Sequence, residues 1–134
     1  VDSKIEQIIM QHLIGKLSPT LIYVFGSTIK GTSRAQSDID IAFLGNNMYD
    51  SYQLFIIGQE LASKLGQEVD LIDLQKSSTV FQAQIVTTGK IIYCTDVNKK
   101  AQFEMKTLKM YAKLNEERAP VLESIEESGT IYEK

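Results

Sequence analysis

Four short runs rich in β-branched and aromatic residues limit what this chain can become: Leu21–Phe25, Ile39–Leu44, Val69–Leu74 and Ile91–Cys94. Leu21–Phe25 is continuously apolar, the pattern of a strand buried on both faces. The stretches around the runs carry helical periodicity instead. Ser3 and Glu6 have capping-box spacing ahead of a face formed by Ile5, Ile8, Ile9 and Leu13, with a stop expected near Gly15 and a loop at Ser18-Pro19. Asp50 or Ser51 should cap a helix through Leu54, Ile57, Leu61, Ala62 and Leu65, with Gly66 just past its end. Ser77 or Ser78 should cap a shorter one reaching about Thr88, stopped by Gly89. Strands alternating with helices predict a sheet of about four strands in an α/β or α+β chain, the short Ile91–Cys94 run nearest an edge.

From Asn98 onward the composition shifts. Lys99, Lys100, Lys106, Lys109 and Lys113 surround Phe103, Leu108, Met110, Tyr111 and Leu114, and Pro120 suits the first turn of a second helix containing Val121, Leu122 and Ile125. The expectation is one domain over 1–134, a core of 1–97 followed by a helical segment of 98–134. With 134 residues, 43% of them hydrophobic, it can bury a core without staples. Its net charge of −3 argues against a long nucleic-acid footprint, which needs a basic surface. The single cysteine, Cys94, rules out an internal disulfide, sits in an apolar run as core filler and fits a reducing cytoplasm. No stretch approaches the ~20 apolar residues of a membrane span, and the N-terminus lacks a signal-peptide pattern, so the expected location is cytoplasmic without membrane contact.

Chemistry concentrates between the first two strands. Gly26-Ser27 ends the first, and Asp38-Ile39-Asp40 opens the second after ten intervening residues. A glycine–serine turn lets backbone N–H groups and a hydroxyl approach a phosphate. Asp38 and Asp40 stand one pleat apart, on one face, roughly 6–7 Å apart at Cα. Aspartate is depleted in strands, and the repulsion of such a pair is relieved by a divalent cation; hard oxygen ligands suit Mg²⁺. A third carboxylate should come from a neighbouring strand. Asp70 and Asp73 have opposite parity, so only one can join the pair, and Asp70, between Val69 and Leu71, is preferred. Lys30 and Arg34, in the loop, are either solvated surface charges or braces for triphosphate oxygens or an acidic partner. His12 has no nucleophile near it in sequence and receives no role.

Gly-Ser, ten residues, Asp-x-Asp and, about thirty residues later, an aspartate between apolar neighbours resemble the signature of the polymerase-β-like nucleotidyltransferases. The chain is similar to their minimal branch, and specifically to the MntA-family adenylyltransferase antitoxins of HEPN/MNT toxin–antitoxin pairs. Gly31 and Ser37 fall where that family has them, and VDLIDL and the ERAPVLESIEESGTIYEK ending also match, so the resemblance covers nearly the whole chain. The family loop reads closer to GSRARG; here one arginine is lost and another is replaced by Lys30, which leaves part of the charge.

The resemblance implies an α+β fold: a small mixed sheet of about four strands flanked by helices, with C-terminal helices. It implies that Gly26, Ser27, Ser37 and Lys30 hold the nucleotide and that Asp38 and Asp40 bind Mg²⁺. Asp70 becomes a further metal ligand or the group that helps activate the acceptor. The implied reaction transfers AMP from ATP to a tyrosine of a cognate HEPN ribonuclease toxin, silencing it within a hetero-oligomer. Two rivals stand beside it. Transfer to an RNA end or small molecule would need a further domain or a basic groove, with the lysines of 99–113 the one feature in its favour. A binding module that neutralises by contact would be expected to have eroded carboxylates, whereas Asp38, Asp40 and Asp70 are all present.

Overall fold

The structure, a computed structural model, describes residues 3–25 and 38–128, with side chains described as far as residue 117. Helix α1 (Ser3–Leu17) leads into strand β1 (Pro19–Phe25); then follow β2 (Ile39–Gly45), α2 (Ser51–Leu65), β3 (Val69–Asp73), a 3₁₀ turn (Leu74–Lys76), α3 (Thr79–Thr88), β4 (Lys90–Cys94) and α4 (Val97–Ser128). The strands form one sheet in the order β3-β2-β1-β4. β1 is antiparallel to both β2 and β4, and β2 runs parallel to β3. The sheet is therefore mixed and the fold α+β, with β4 at an edge as its short run suggested. Among the described residues no helix is long and apolar enough to cross a membrane.

Strand alternation splits the core in two. On one face Ile22, Ile39, Ile41 and Phe43 pack with Ile9, Leu13 and Leu17 of α1 and Leu61 of α2. On the other Leu21, Tyr23 and Ala42 pack with Leu74 and with Ile85 of α3, and Phe103 of α4 joins them. Each fully buried large aliphatic or aromatic side chain contributes about 1.5–3 kcal/mol of burial, so this two-sided core is what holds β1 and β2 at the centre.

Local chemistry settles the element ends. Asp50, not Ser51, caps α2: its Oδ1 accepts from the Gln53 N–H at 2.7 Å while Gln53 Oε1 accepts from the Asp50 N–H at 3.0 Å. Gly66 closes that helix at φ 69°, in the left-handed region open to glycine. Ser78, not Ser77, caps α3, accepting from the Phe81 N–H at 3.1 Å. Helix α1 ends at Leu17, two residues past the Gly15 near which a stop was expected, and Ser18 follows it at φ 46°. Glycine costs a helix about 1 kcal/mol, less than the burial of Leu17, which is 0% exposed. Pro19 then opens β1, a position where the missing N–H is tolerated.

The C-terminal segment also departs from expectation. Instead of two helices meeting at Pro120, α4 is one helix of 32 residues. Residues 115–119 (Asn-Glu-Glu-Arg-Ala) contain no glycine to end a helix, and an interior proline, costing about 3 kcal/mol, removes a single hydrogen bond from a long ladder. Asp96 caps the helix start through the Asn98 and Lys99 N–H groups. The Tyr23 hydroxyl donates to Glu104 Oε2 at 3.0 Å, and Lys100 donates to Glu104 Oε1 at 3.2 Å, tying α4 to the sheet. Burial, then Glu104, hold the Tyr23 hydroxyl far above its usual pKa, so it stays a donor.

His12, given no role from sequence, joins α1 to α2. Lys64 Nζ donates to its Nδ1 at 3.1 Å, which leaves Nε2–H to donate to the Ile57 carbonyl at 3.2 Å; Glu60 is 3.5 Å from Nε2. Burial first, then the Lys64 charge, lower its pKa below 6.5. The unfolded chain thus binds the proton more readily, and the contribution of His12 is complete above pH 6.5 and declines as pH falls through its depressed folded value. Urea midpoints should drop between about pH 7.5 and about pH 5.5, with a shallower drop in His12→Gln. Equal slopes in the two proteins would contradict this linkage.

Candidate active site

Polar groups gather where β1 ends and β2 and β3 begin. Asp38 directly precedes β2, Asp40 is the second residue of β2, and Asp70 is the second residue of β3. The parallel register sets Asp40 against Asp70, and on its other side Asp40 lies opposite Phe25, the last residue of β1. In-register residues of neighbouring strands project to the same side of a sheet, so Asp40 and Asp70 share a face. It is the face of Ala42 and Ile72, covered further along by α3 and α4.

Asp40 is half-buried, whereas Asp38 and Asp70 are exposed. Burial raises the pKa of Asp40, and the charges of Asp70 and then Asp38 raise it further. A carboxylate penalised in this way is one that a cation would relieve. Among the described residues no three histidine, cysteine, aspartate or glutamate side chains close around a common point to cage a metal. Mg²⁺ is commonly held by one or two carboxylates and completed by water and substrate phosphate oxygens. Asp38 and Asp40 are the residues that could hold it, with Asp70 across the strand pair.

Asp73 lies apart from this group. It has the parity of Val69 and Leu71, is 5% exposed, and caps the 3₁₀ turn by accepting from the Gln75 N–H at 3.0 Å. Gly26, Ser27, Lys30, Arg34 and Ser37 lie outside the described residues. The chain positions that bound their segment, Phe25 and Asp38, both adjoin Asp40.

One feature of the site was not read from the sequence. A cleft of about 420 Å³ lies between α2 and β3, with Asp70 in its wall beside Phe55, Gly58, Gln59, Glu68 and Leu71. Its only sequence signal is the placement of Tyr52, Phe55 and Ile56 one turn apart on α2, away from that helix's buried positions.

The chain is similar to several known proteins. Residues 3–98 match the family model of the polymerase beta nucleotidyltransferases. The protein adenylyltransferase MntA of Shewanella oneidensis is 41% identical over 105 residues, 78% of this chain and 75% of that one. A crystal structure of a toxin–antitoxin with AMP-PNP contains a chain 38% identical, with a TM-score of 0.80 over 90% of this chain and 97% of its own. A structure of tri-AMPylated Shewanella oneidensis HEPN toxin in complex with MNT antitoxin matches at 35% identity and a TM-score of 0.76, over 91% and 96%. With a family model matched over residues 3–98 and a relative 41% identical over 78% of its length, this chain belongs to the polymerase β nucleotidyltransferase family, within its MntA group.

Proposed function

We propose that this chain is a Mg²⁺-dependent protein adenylyltransferase antitoxin that transfers AMP from ATP to a tyrosine of a cognate HEPN ribonuclease toxin and thereby silences it. The observation that carries the reading is Asp40, held half-buried between the charges of Asp38 and Asp70 and opposite Phe25 at the end of β1. Support comes from the relatives: one is named a protein adenylyltransferase, and another stands in complex with an AMPylated toxin.

In this reading Gly26 and Ser27 bind the triphosphate through N–H and hydroxyl donors, with Ser37 and Lys30 adding contacts. Asp38 and Asp40 hold Mg²⁺, which when bound neutralises phosphate charge. Asp70 orients the tyrosine hydroxyl and accepts its proton as the phenolic oxygen bonds to the α-phosphorus. The bond from the α-phosphorus to the α–β bridging oxygen breaks, and pyrophosphate leaves. The residues thus act by positioning and charge, as phosphoryl-type transfers require. Because the reaction consumes ATP, it belongs in the cytoplasm.

The test is the ATP dependence of neutralisation. Ribonuclease activity of the toxin should fall after incubation with this protein, ATP and Mg²⁺, and stay down after the two proteins are separated. Full neutralisation without ATP, lost on separation, would favour a binding module with a vestigial site.

A further inference from the structure

The pairing of β1, β2 and β3 lines up one row of side chains. Asp40 lies opposite Phe25 in the antiparallel register of β1 and β2, and beside Asp70 in the parallel register of β2 and β3. Phe25, Asp40 and Asp70 therefore project from the same face of the sheet, the one that α3 and α4 cover. Among the described residues, Phe25 with Asp40 is the last pair of its ladder. A terminal pair has ladder neighbours on one side only, and such ends open readily unless side chains hold them.

The hold on Phe25 comes from α3. The Phe25 and Phe81 rings meet edge-on, with centroids 5.6 Å apart and planes at 82°, an arrangement that the ring quadrupoles favour. Both rings are only partly buried, so their contact shapes the rim of this face rather than filling its interior. Phe81 is itself well fixed. It stands in the first turn of α3, where its N–H donates to the capping Ser78 Oγ at 3.1 Å. Further along the helix, Ile85 is fully buried with Leu21 and Tyr23 of β1. Just past the helix, Gly89 lies so close to β1 that a Cβ there would be 3.3 Å from the Tyr23 ring. Thus α3 supplies none of the three carboxylates, yet it is clamped over the strand end that borders Asp40.

We propose that Phe81 is a positioning residue for adenylyl transfer, acting through Phe25 to hold the end of β1 beside Asp40. The proposal rests on the adenylyltransferase reading and deepens it: an aromatic pair with no polar group fixes where Asp40 stands relative to Asp70. Transfer depends on alignment of the reacting groups, and a misplacement of about 1 Å can cost about 10²-fold in rate. Without the Phe81 ring, Phe25 and Asp40 sample positions displaced from the aligned row. A loss of this kind lowers kcat rather than raising the KM for toxin.

The experiment compares Phe81→Ala, Phe81→Tyr and, as a packing control on the same helix, Ile85→Val, each in the full chain and below its melting temperature. Phe81→Ala should lower kcat for AMP transfer by about tenfold or more, with the toxin KM within about twofold of the parent. Phe81→Tyr keeps the ring edge and should retain about half of the parent kcat or more. Ile85→Val should lower the melting temperature without that loss of kcat. Phe81→Leu fills the space without a ring edge; it should show the same split at about threefold, and it serves where Phe81→Ala melts below the assay temperature. Amide hydrogen exchange, without ATP or metal, reads the strand end directly. In Phe81→Ala, protected amides of residues 24, 25, 40 and 41 should exchange about three- to tenfold faster relative to those of Ile22 and Phe43 in mid-ladder. An unchanged kcat in Phe81→Ala, a raised toxin KM at unchanged kcat, an equal kcat loss in Ile85→Val, or uniformly faster exchange along the ladder would overturn the assignment. Failure of the unaltered protein to transfer AMP would instead sink the adenylyltransferase reading, and the proposal with it.

Discussion

Asparagine at both Asp38 and Asp40 is expected to reduce AMP transfer by about 10³-fold or more, since removal of even one preorganised electrostatic group costs about 10²–10³ in turnover. The substitution keeps the shape of each side chain while removing its charge and turning one acceptor oxygen into an NH₂ donor, so the loss reports charge and ligation. It should not unfold the protein. Asp40 is disfavoured as an anion in the folded chain, by burial and by the charges of Asp70 and Asp38. Neutralising it removes that penalty, and the metal-free double variant should melt no lower than the parent. A second comparison sharpens the result. Asp73→Asn should leave transfer nearly intact, because Asp73 faces the other way and serves a turn rather than the carboxylate group. Initial rates at saturating ATP and toxin check all three. A double variant that retains a tenth of the parent rate or more would contradict the site.

The largest loss of stability is expected from Phe43→Ala. Phe43 is 0% exposed on central strand β2, and its ring meets that of Tyr49 edge-on, with centroids 6.1 Å apart and planes at 72°. The Tyr49 hydroxyl in turn donates to the Leu17 carbonyl at 2.8 Å, so a hole at Phe43 loosens the junction of β2, α1 and the loop into α2. Truncating a buried phenylalanine costs about 3–5 kcal/mol, a large part of the 5–15 kcal/mol that holds most domains together. Phe55→Ala provides the contrast: the same change at an exposed position should shift stability by no more than about 0.5 kcal/mol. Urea titrations of the two variants read the difference. Equal losses would mean that Phe43 does not anchor the core.

What could be read in the sequence was whatever is written locally. The apolar runs became strands because burial on both faces needs such residues, and Asp50 and Ser78 cap helices through groups three residues away. Parity alone showed that Asp70 and Asp73 could not both join the Asp38–Asp40 pair, and the register shows why Asp70 is the one beside Asp40. Non-local facts were not legible. His12 looked idle because its partners, Ile57 and Lys64, lie 45 and 52 residues away on another helix. Gly15 and Pro120 looked like helix ends, yet α1 gains more from burying Leu17 than Gly15 costs, and α4 absorbs its proline. The cleft beside Asp70 depends on how α2 lies along the edge of β3, which no single segment encodes. Gly26, Ser27, Lys30 and Ser37, the residues with the clearest sequence pattern, fall outside the described structure.

Peptide mass spectrometry of the toxin, after incubation with this protein, ATP and Mg²⁺, tests adenylyl transfer most directly. The expected result is an adenylyl group on a toxin tyrosine, absent when the Asp38→Asn/Asp40→Asn variant replaces the parent. A toxin that is silenced yet carries no adenylyl group, or a label that appears on RNA instead, would contradict it.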